Sequence, residues 1–417
     1  MRFLLLSQYF PPEIGAPQLR LLALVCELKR LGYEVEVITA LPNYPRGQIF
    51  PAYKGRLYLR EKLNGILIHR VWLYPAMGAG VKRMLNYASF MATSLIGLFS
   101  VKRPDFLFVE SPPLLLGVSA ALAAGYWRIP MILNVADLWP DSVKELGLIR
   151  EGWLLRLAQR LEGWCYRKAS FVNAVTEGMQ EALIKKKKVP HEKVLFLPNG
   201  VDTDFFHPLE PDLKLAAELG LNNKQIILYA GTLGYVHGLE VAIEAMAILR
   251  IELPNMCLVF IGDGSQRSWL EIIVRKMSLN NVLFLPPNSP DYIMRLFSLS
   301  IAGLVTVRDI PFFDGTRPAK MFTIMACGKP VIFSGRGEGA KLVEESQSGI
   351  VVPSGNPVAL VEAVRYLVNH PQEARRFGAN GRKFVEENLS WSILVKHWLN
   401  ELEKRCYGRN FQKKRMF

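Results

Sequence analysis

One supersecondary pattern is written into this chain twice, and it constrains the fold more than any other feature. Near the start, the apolar run RFLLLS leads through the loop QYFPPEIGAPQ to a helical stretch from about Leu19 to Leu31, closed by Gly32, and then to EVEVITA. From Gln225 the order recurs: QIILYAG, a glycine turn, a helix from Leu239 to about Leu249, and MCLVFIGDG. Strand, short loop, helix and strand make a βαβ unit, whose parallel sheet takes ligands at the carboxyl ends of its strands. At 417 residues the chain exceeds one ordinary core, so two domains are expected. Nearly continuous apolar runs such as DFLFVES and PMILNVAD fit sheets covered on both faces. The predicted class is α/β with two Rossmann-like domains.

Half of the residues are hydrophobic and 21% are charged, which excludes a disordered chain. The five cysteines are scattered singly without a CxxC pair, as buried thiols of a reducing compartment would be, and no zinc site is expected. The net charge of +14 is uneven: residues 1–195 hold 26 Lys and Arg against 15 Asp and Glu. A basic first half suits a phosphate-bearing partner. No nucleic-acid module is present, so the membrane surface is favoured over nucleic acid; a basic protein without a charged partner is the alternative. FLLL after Met1-Arg2 is too short for a signal peptide and reads as a buried first strand. Met84 to Val101 carries no formal charge but includes Asn86, Ser89, Thr93 and Ser94, and is expected to be a helix that is buried or dips into one leaflet. Leu148 to Ala169 reads as an amphipathic helix with aromatic and basic residues, packed on its own sheet or lying on lipid. Lys185 to Lys188 reads as a solvated helix end that could also touch anionic lipid, and NFQKKRMF as a frayed basic tail that could meet lipid too.

The chemistry concentrates in DGTRPAKMFTIMACGKPV, residues 314–331. Pro318 suits a first helical turn and Thr316 could cap it, so a helix is predicted from near Arg317 to Gly328. Free N–H groups at its start, with Arg317 and Lys320, would form a seat for phosphate; a plain surface helix start has the same composition. The turn from Gly231 to Gly238 also opens a helix after a strand, so its amides are candidates for phosphate, with Thr232 and His237 beside them. His237 is expected to be neutral and hydrogen-bonded. Gly262 and Asp263 end one strand and Leu285 another, although Asp263 fits an ordinary turn equally well. In the first half, Gly15 and Ala16 have almost no side chain, which allows a sugar diphosphate to approach, although a simple turn fits equally well. Asp137 and Glu110 both end strands at the ligand edge, where an acid can also serve as a helix cap.

The pattern PxKxFxxMAxGKPVI, followed by Gly337-Glu338-Gly339 and SGIVVPSGNP, resembles the retaining family-four glycosyltransferases of GT-B architecture, whose two Rossmann-like domains face each other across a cleft. The nearest resemblance is to the bacterial O-antigen and capsule branch. It implies an acceptor-side domain over 1–198, a nucleotide-sugar domain over 199–388, and a helix with basic tail over 389–417 that crosses back. It further implies a nucleoside-diphosphate sugar, in the expected case a UDP-linked amino or deoxy sugar, and a polyprenyl-diphosphate-linked acceptor. The place would be the inner face of the cytoplasmic membrane, with no metal and no cofactor. Lys320 and Arg317 would neutralise the leaving diphosphate, and Asp137 would act on the acceptor side. Gly15, Ala16, Gly231, Thr232, His237, Gly262, Asp263, Leu285, Thr323 and Glu338 would hold the donor, while Asn199, Arg308 and Asp309 would lie near the cleft.

Relatives usually carry glutamates where this chain has Thr323 and Gly315, and Arg and Lys where it has Thr232 and His237. A single hydroxyl at 323 should bind a ribose more weakly than a carboxylate. Three readings therefore stand: a transferase, a catalytically silent scaffold in an assembly complex, and a nucleotide-sugar 2-epimerase.

Overall fold

The computed structural model describes residues 1–13, 15–44, 46–76, 78, 80–145 and 152–408. The chain divides into two compact units, Met1–Asn199 together with the chain from Leu394 onward, and Gly200–Ile393. Asn199 thus stays with the first unit, and residues up to Ile393 with the second, a few positions from the expected boundaries.

In the first unit, β1 (Arg2–Leu6), α1 (Ala16–Arg30) and β2 (Glu34–Ala40) form the first βαβ unit. A hairpin follows, β3 (Tyr58–Leu63) and β4 (Ile66–Val71), then α2 (Val81–Phe99). The rest is β5 (Phe106–Ser111), α3 (Leu116–Trp127), β6 (Met131–Val135), α4 (Asp141–Glu145), α5 (Trp153–Lys168), β7 (Phe171–Ala174), α6 (Glu177–Lys185) and β8 (Val194–Phe196). The sheet order is β3-β4-β2-β1-β5-β6-β7-β8, parallel except for the edge strand β3. Its pattern YLREKL alternates, as an edge strand with one wet face should.

Side chains alternate across a strand. Leu4 and Leu6 of β1 therefore join the core under α2, α3, α5 and α6, while Phe3 turns to the other face. There it meets Trp398, which also packs edge-on against Phe108 with ring centroids 5.9 Å apart and donates its indole N–H to Asn173 Oδ1 at 3.1 Å. Truncating a fully buried aromatic of this kind costs about 3–5 kcal/mol. Trp398 belongs to the last helix, which runs from Trp391 to Gly408. The start of the expected helix at Leu148 and the basic tail lie outside the described residues.

The second unit holds α7 (Leu213–Glu218), β9 (Gln225–Ala230), α8 (Glu240–Glu252), β10 (Met256–Ile261), α9 (Arg267–Lys276), β11 (Val282–Leu285) and α10 (Pro290–Leu299). It continues with β12 (Ser300–Thr306), α11 (Lys320–Ala326), β13 (Val331–Ser334), α12 (Glu338–Glu345), β14 (Gly349–Val352), α13 (Pro357–Asn369) and α14 (Pro371–Asn388); α15 is the last helix already described. All strands pair in parallel in the order β11-β10-β9-β12-β13-β14. After β9 the chain moves toward β10 and β11, then returns to lay β12 on the other side of β9. The order reverses there, and the strand ends at such a reversal are the place where sheets of this kind bind ligands. The first unit has its reversal between β1 and β5.

Three local expectations are corrected. The helix expected from Arg317 begins at Lys320, with Ala319 at its N-cap and no side-chain cap. Residues Pro311–Gly315 form a 3-10 turn instead, and Thr316 donates its hydroxyl to Phe313 O at 2.7 Å and lies three residues before the N-cap. Lys187 is not a solvated helix end: it is largely buried and pairs with Asp141 and Glu162, each at 2.7 Å. Cys26 and Cys406 are half-buried, whereas the other three thiols are buried.

Candidate active site

Register places the carboxyl ends of β9, β10 and β11 side by side, Ala230 opposite Ile261 and Ile261 opposite Leu285. Gly231 and Gly262 are therefore neighbours at one edge, with φ of +144° and +145°. A β-carbon at Gly262 would lie 2.0 Å from Gly231 O, an impossible contact, so only glycine permits this approach. At Gly231 an added carbon would meet Lys320 Cε at 3.3 Å and Nζ at 3.6 Å. The lysine side chain thus reaches from the first residue of α11 to lie over the turn after β9.

What holds it there is Tyr229, fully buried at the end of β9. The Lys320 ammonium lies 4.1 Å from the centroid of its ring and donates to its hydroxyl at 2.5 Å, and that hydroxyl donates in turn to Thr232 O at 2.7 Å. Among the described residues no carboxylate pairs with Lys320, and burial pushes its pKa down to about 7. A half-buried cation beside a glycine turn and without a counter-ion is poised for an anion.

The basic pair expected at the helix start is separated. Arg317 precedes α11, and its Nε lies 2.9 Å from Glu338 Oε2, both side chains being mostly buried. The amides of the Gly231 turn are also partly engaged: Gly231 N donates to Ile261 O and Leu233 N to Asp263 O, both at 2.9 Å. The net positive charge at this edge therefore comes chiefly from the ammonium.

The other candidates of this unit take definite places. His237 lies 6.1 Å, centroid to centroid, from Tyr229; its Nδ1 has no hydrogen-bond partner, and burial with the nearby Lys320 charge lowers its pKa to about 3, so it stays neutral. Thr232 is exposed, and Thr323 is half-buried one turn beyond Lys320 on α11. Asp263 is an exposed turn residue whose carboxylate accepts from Gly264 N at 2.8 Å. Leu285 O accepts from Gly262 N and from Arg267 Nη1, which also donates to Gly262 O at 2.7 Å, so Arg267 fastens the ends of β10 and β11 together. Arg308 stacks 4.2 Å over the Tyr235 ring and pairs with Glu240 at 2.5 Å; Asp309 and Asp314 share Arg336, each at 2.8 Å.

In the first unit, Gly15 is extended and precedes α1, which starts at Ala16. Arg20 of α1 donates to Asn199 Oδ1 at 3.1 Å and pairs with Glu110, which also accepts from Asn134 at 2.7 Å. Burial pushes the Glu110 carboxyl up, against the lowering effect of Arg20 and Asn134. Asp137 follows β6, half-buried, and accepts from Ser142 at 2.8 Å; burial raises its pKa as well. Sequence reasoning passed over Glu13, a buried carboxylate that accepts from the amides of Asn43 and Tyr44 at 2.7 and 2.8 Å. Its signal was a lone acid in an otherwise uncharged loop. Tyr229 left none, since in IILYAG it reads as one more strand residue. No group of three or more His, Cys, Asp or Glu among the described residues could hold a metal ion.

Fold and site together define a protein of two Rossmann-like α/β units with a lysine ammonium held over a glycine turn at the sheet edge of the second. Comparison with known proteins gives the family: residues 15–200 match the Glycosyl transferase 4-like domain and residues 213–384 the Glycosyl transferases group 1 domain. The chain is a glycosyltransferase of the group 1 family. It is 28% identical over 383 residues to WcaI of Escherichia coli (strain K12), a glycosyl transferase by name and named for colanic acid biosynthesis, with 89% of this chain and 92% of that protein covered. Sucrose-phosphate synthase of Thermosynechococcus elongatus superposes with a TM-score of 0.75 at 18% identity, covering 98% of this chain and all of the other. Anabaena HepE in complex with UDP-glucose superposes with a TM-score of 0.73 at 19% identity, covering 97% and 100%. At these identities the two structures speak for the fold.

Proposed function

We propose that this chain transfers a hexosyl or hexosaminyl group from a UDP-sugar to a sugar carried on polyprenyl diphosphate, in the synthesis of a surface polysaccharide at the inner face of the cytoplasmic membrane. The observation that carries the reading is the Lys320 ammonium held by Tyr229 over the Gly231 turn, at the point where the strand order reverses. Breaking the bond between the anomeric carbon and a diphosphate builds negative charge on the leaving oxygen. A cation held there once the diphosphate is bound stabilises that charge without reorganising as the bond breaks. HepE in complex with UDP-glucose supports the choice of donor, and the name of WcaI supports a polysaccharide product.

Family resemblance adds that the sugar keeps its anomeric configuration, the acceptor hydroxyl entering from the side the diphosphate leaves. The departing phosphate can then take the hydroxyl proton, so a separate base is unnecessary. Asp137 is assigned to orienting the acceptor. Lys320 supplies the charge compensation, and no metal is assigned to the reaction.

A second reading, a catalytically silent scaffold, draws on one specific feature. Thr323 and Gly315 are uncharged, and the acids nearest in sequence, Asp314 and Glu338, are engaged by Arg336 and Arg317. Incubation with labelled UDP-sugars and polyprenyl-linked lipid separates the readings. Label in the lipid fraction supports transfer, an isomerised nucleotide sugar supports an epimerase, and UDP binding without turnover supports the scaffold.

A further inference from the structure

A helix that covers a sheet normally buries one stripe and shows water a polar face. Helix α2 breaks this rule on its outer side. Val81, Met84, Leu85, Ile96 and Phe99 are exposed, Ile96 by 61% and Phe99 by 55%, while the inner side buries Phe90, Ser94 and Leu98. The apolar surface continues onto the next helix, where Phe99 meets Tyr126 and Trp127 edge-on with ring centroids 5.4 and 6.1 Å apart. Tyr126 and Leu122 of α3 are exposed in turn. Helix α5 packs beside α3 and exposes Trp153, Leu154 and Leu157 at its start. Three adjacent helices thus present aromatic and aliphatic side chains outward, more than scattered surface residues account for.

The exposed charge on these three helices is of one sign. Lys82, Lys102, Arg103, Arg128, Arg156 and Arg160 are all exposed on these helices or the loops that follow them. The one acid within the three helices is Glu162, which is buried and paired with Lys187. No helix among the described residues is long and apolar enough to cross a membrane, so the face can lie on a bilayer and not span it.

We propose that the outward face of α2, α3 and the start of α5 docks on the interface of an anionic lipid bilayer, its aromatic and aliphatic residues entering the headgroup boundary and its basic rim meeting lipid phosphates. Charge decides the occupant: a second copy would bring two basic rims together, whereas anionic headgroups are complementary to them. The observations are independent of the transferase reading, and the docking stands whether or not that reading does. If both hold, the face keeps the enzyme where a polyprenyl-linked acceptor resides.

The test uses the full chain and sedimentation with vesicles of phosphatidylcholine alone or with about 30% phosphatidylglycerol. Wild type should bind the anionic vesicles, weakly bind the neutral ones, and lose binding as salt rises. Ile96→Asp with Phe99→Asp should weaken binding at least about tenfold, and Arg156→Gln with Arg160→Gln about three- to tenfold with a flatter salt dependence. Ile251→Asp, at an exposed apolar position of the second unit, should bind like wild type. Unchanged thermal unfolding and UDP affinity in each variant show that the fold is intact. Equal binding to neutral vesicles, or full binding by the Ile96/Phe99 variant, overturns the proposal. So does a loss that appears only when Lys413, Lys414 and Arg415 are neutralised, or a lipid-free dimer that the α2 substitutions split.

Discussion

The two units repeat one topology and equip it in opposite ways. At the reversal point of the first, the charges already satisfy each other: Arg20 is held by Glu110 and Asn199, and Glu110 also by Asn134. At the reversal point of the second, glycines open the edge, and the ammonium of Lys320 has an aromatic ring and a hydroxyl for company but no carboxylate among the described residues. An edge with closed charge pairs can receive a neutral hydroxyl-bearing ligand. An edge with an uncompensated cation calls for an anion. Under the proposed function, two sheets of related topology become an acceptor side and a donor side through a few side chains at their strand ends.

That contrast can be broken by experiment. The largest effect should come from the closed side: Glu110→Ala strands a mostly buried arginine, and thermal or denaturant unfolding should show a loss of about 3–5 kcal/mol. Lys320→Ala should leave folding nearly untouched and lower kcat by about 10²–10³, the scale seen for removing one preorganised charge-stabilising group. Tyr229→Phe keeps the ring and deletes the hydroxyl, at a cost of about 0.5–1.5 kcal/mol, up to about tenfold in donor affinity. Because that hydroxyl accepts from the charged lysine, its loss should also lower the Lys320 pKa further and move the alkaline limit of UDP binding to lower pH. Smallest is Thr323→Glu, which restores a carboxylate one turn beyond Lys320 and should tighten UDP by about three- to tenfold. A titration with no gain would count against the ribose role assigned to position 323.

The two repeats and the meeting of Gly231 with Lys320 were legible because apolar runs and glycine turns report backbone geometry directly. Lys320 and Gly231 lie far apart in sequence, yet both stand next to strand ends that a parallel sheet must bring to one edge. The helix start at 317 was misread because the chain closes a 3-10 turn over Pro311–Gly315 and begins the helix only at Lys320, a choice of local closure that residue type does not reveal. Arg317 then lost its expected freedom to Glu338, a partner that only the tertiary fold supplies. Lys187 was assigned to solvent by the lysine run it sits in, although two acids, Asp141 and Glu162, draw it inward. The apolar outer side of α2 was visible as an uncharged run, but its continuation onto α3 required the sheet order.

The most direct trial of the Lys320 assignment is calorimetry of UDP binding at about pH 8 in HEPES and in Tris, whose ionisation heats differ. With a pKa near 7 the free ammonium is mostly deprotonated there, so binding a diphosphate should draw in close to one proton, and affinity should fall as pH rises further. Lys320→Gln should bind more weakly and take up none. Uptake that persists in that variant, or a wild type whose binding heat is the same in both buffers, would contradict the claim that this lysine receives the diphosphate.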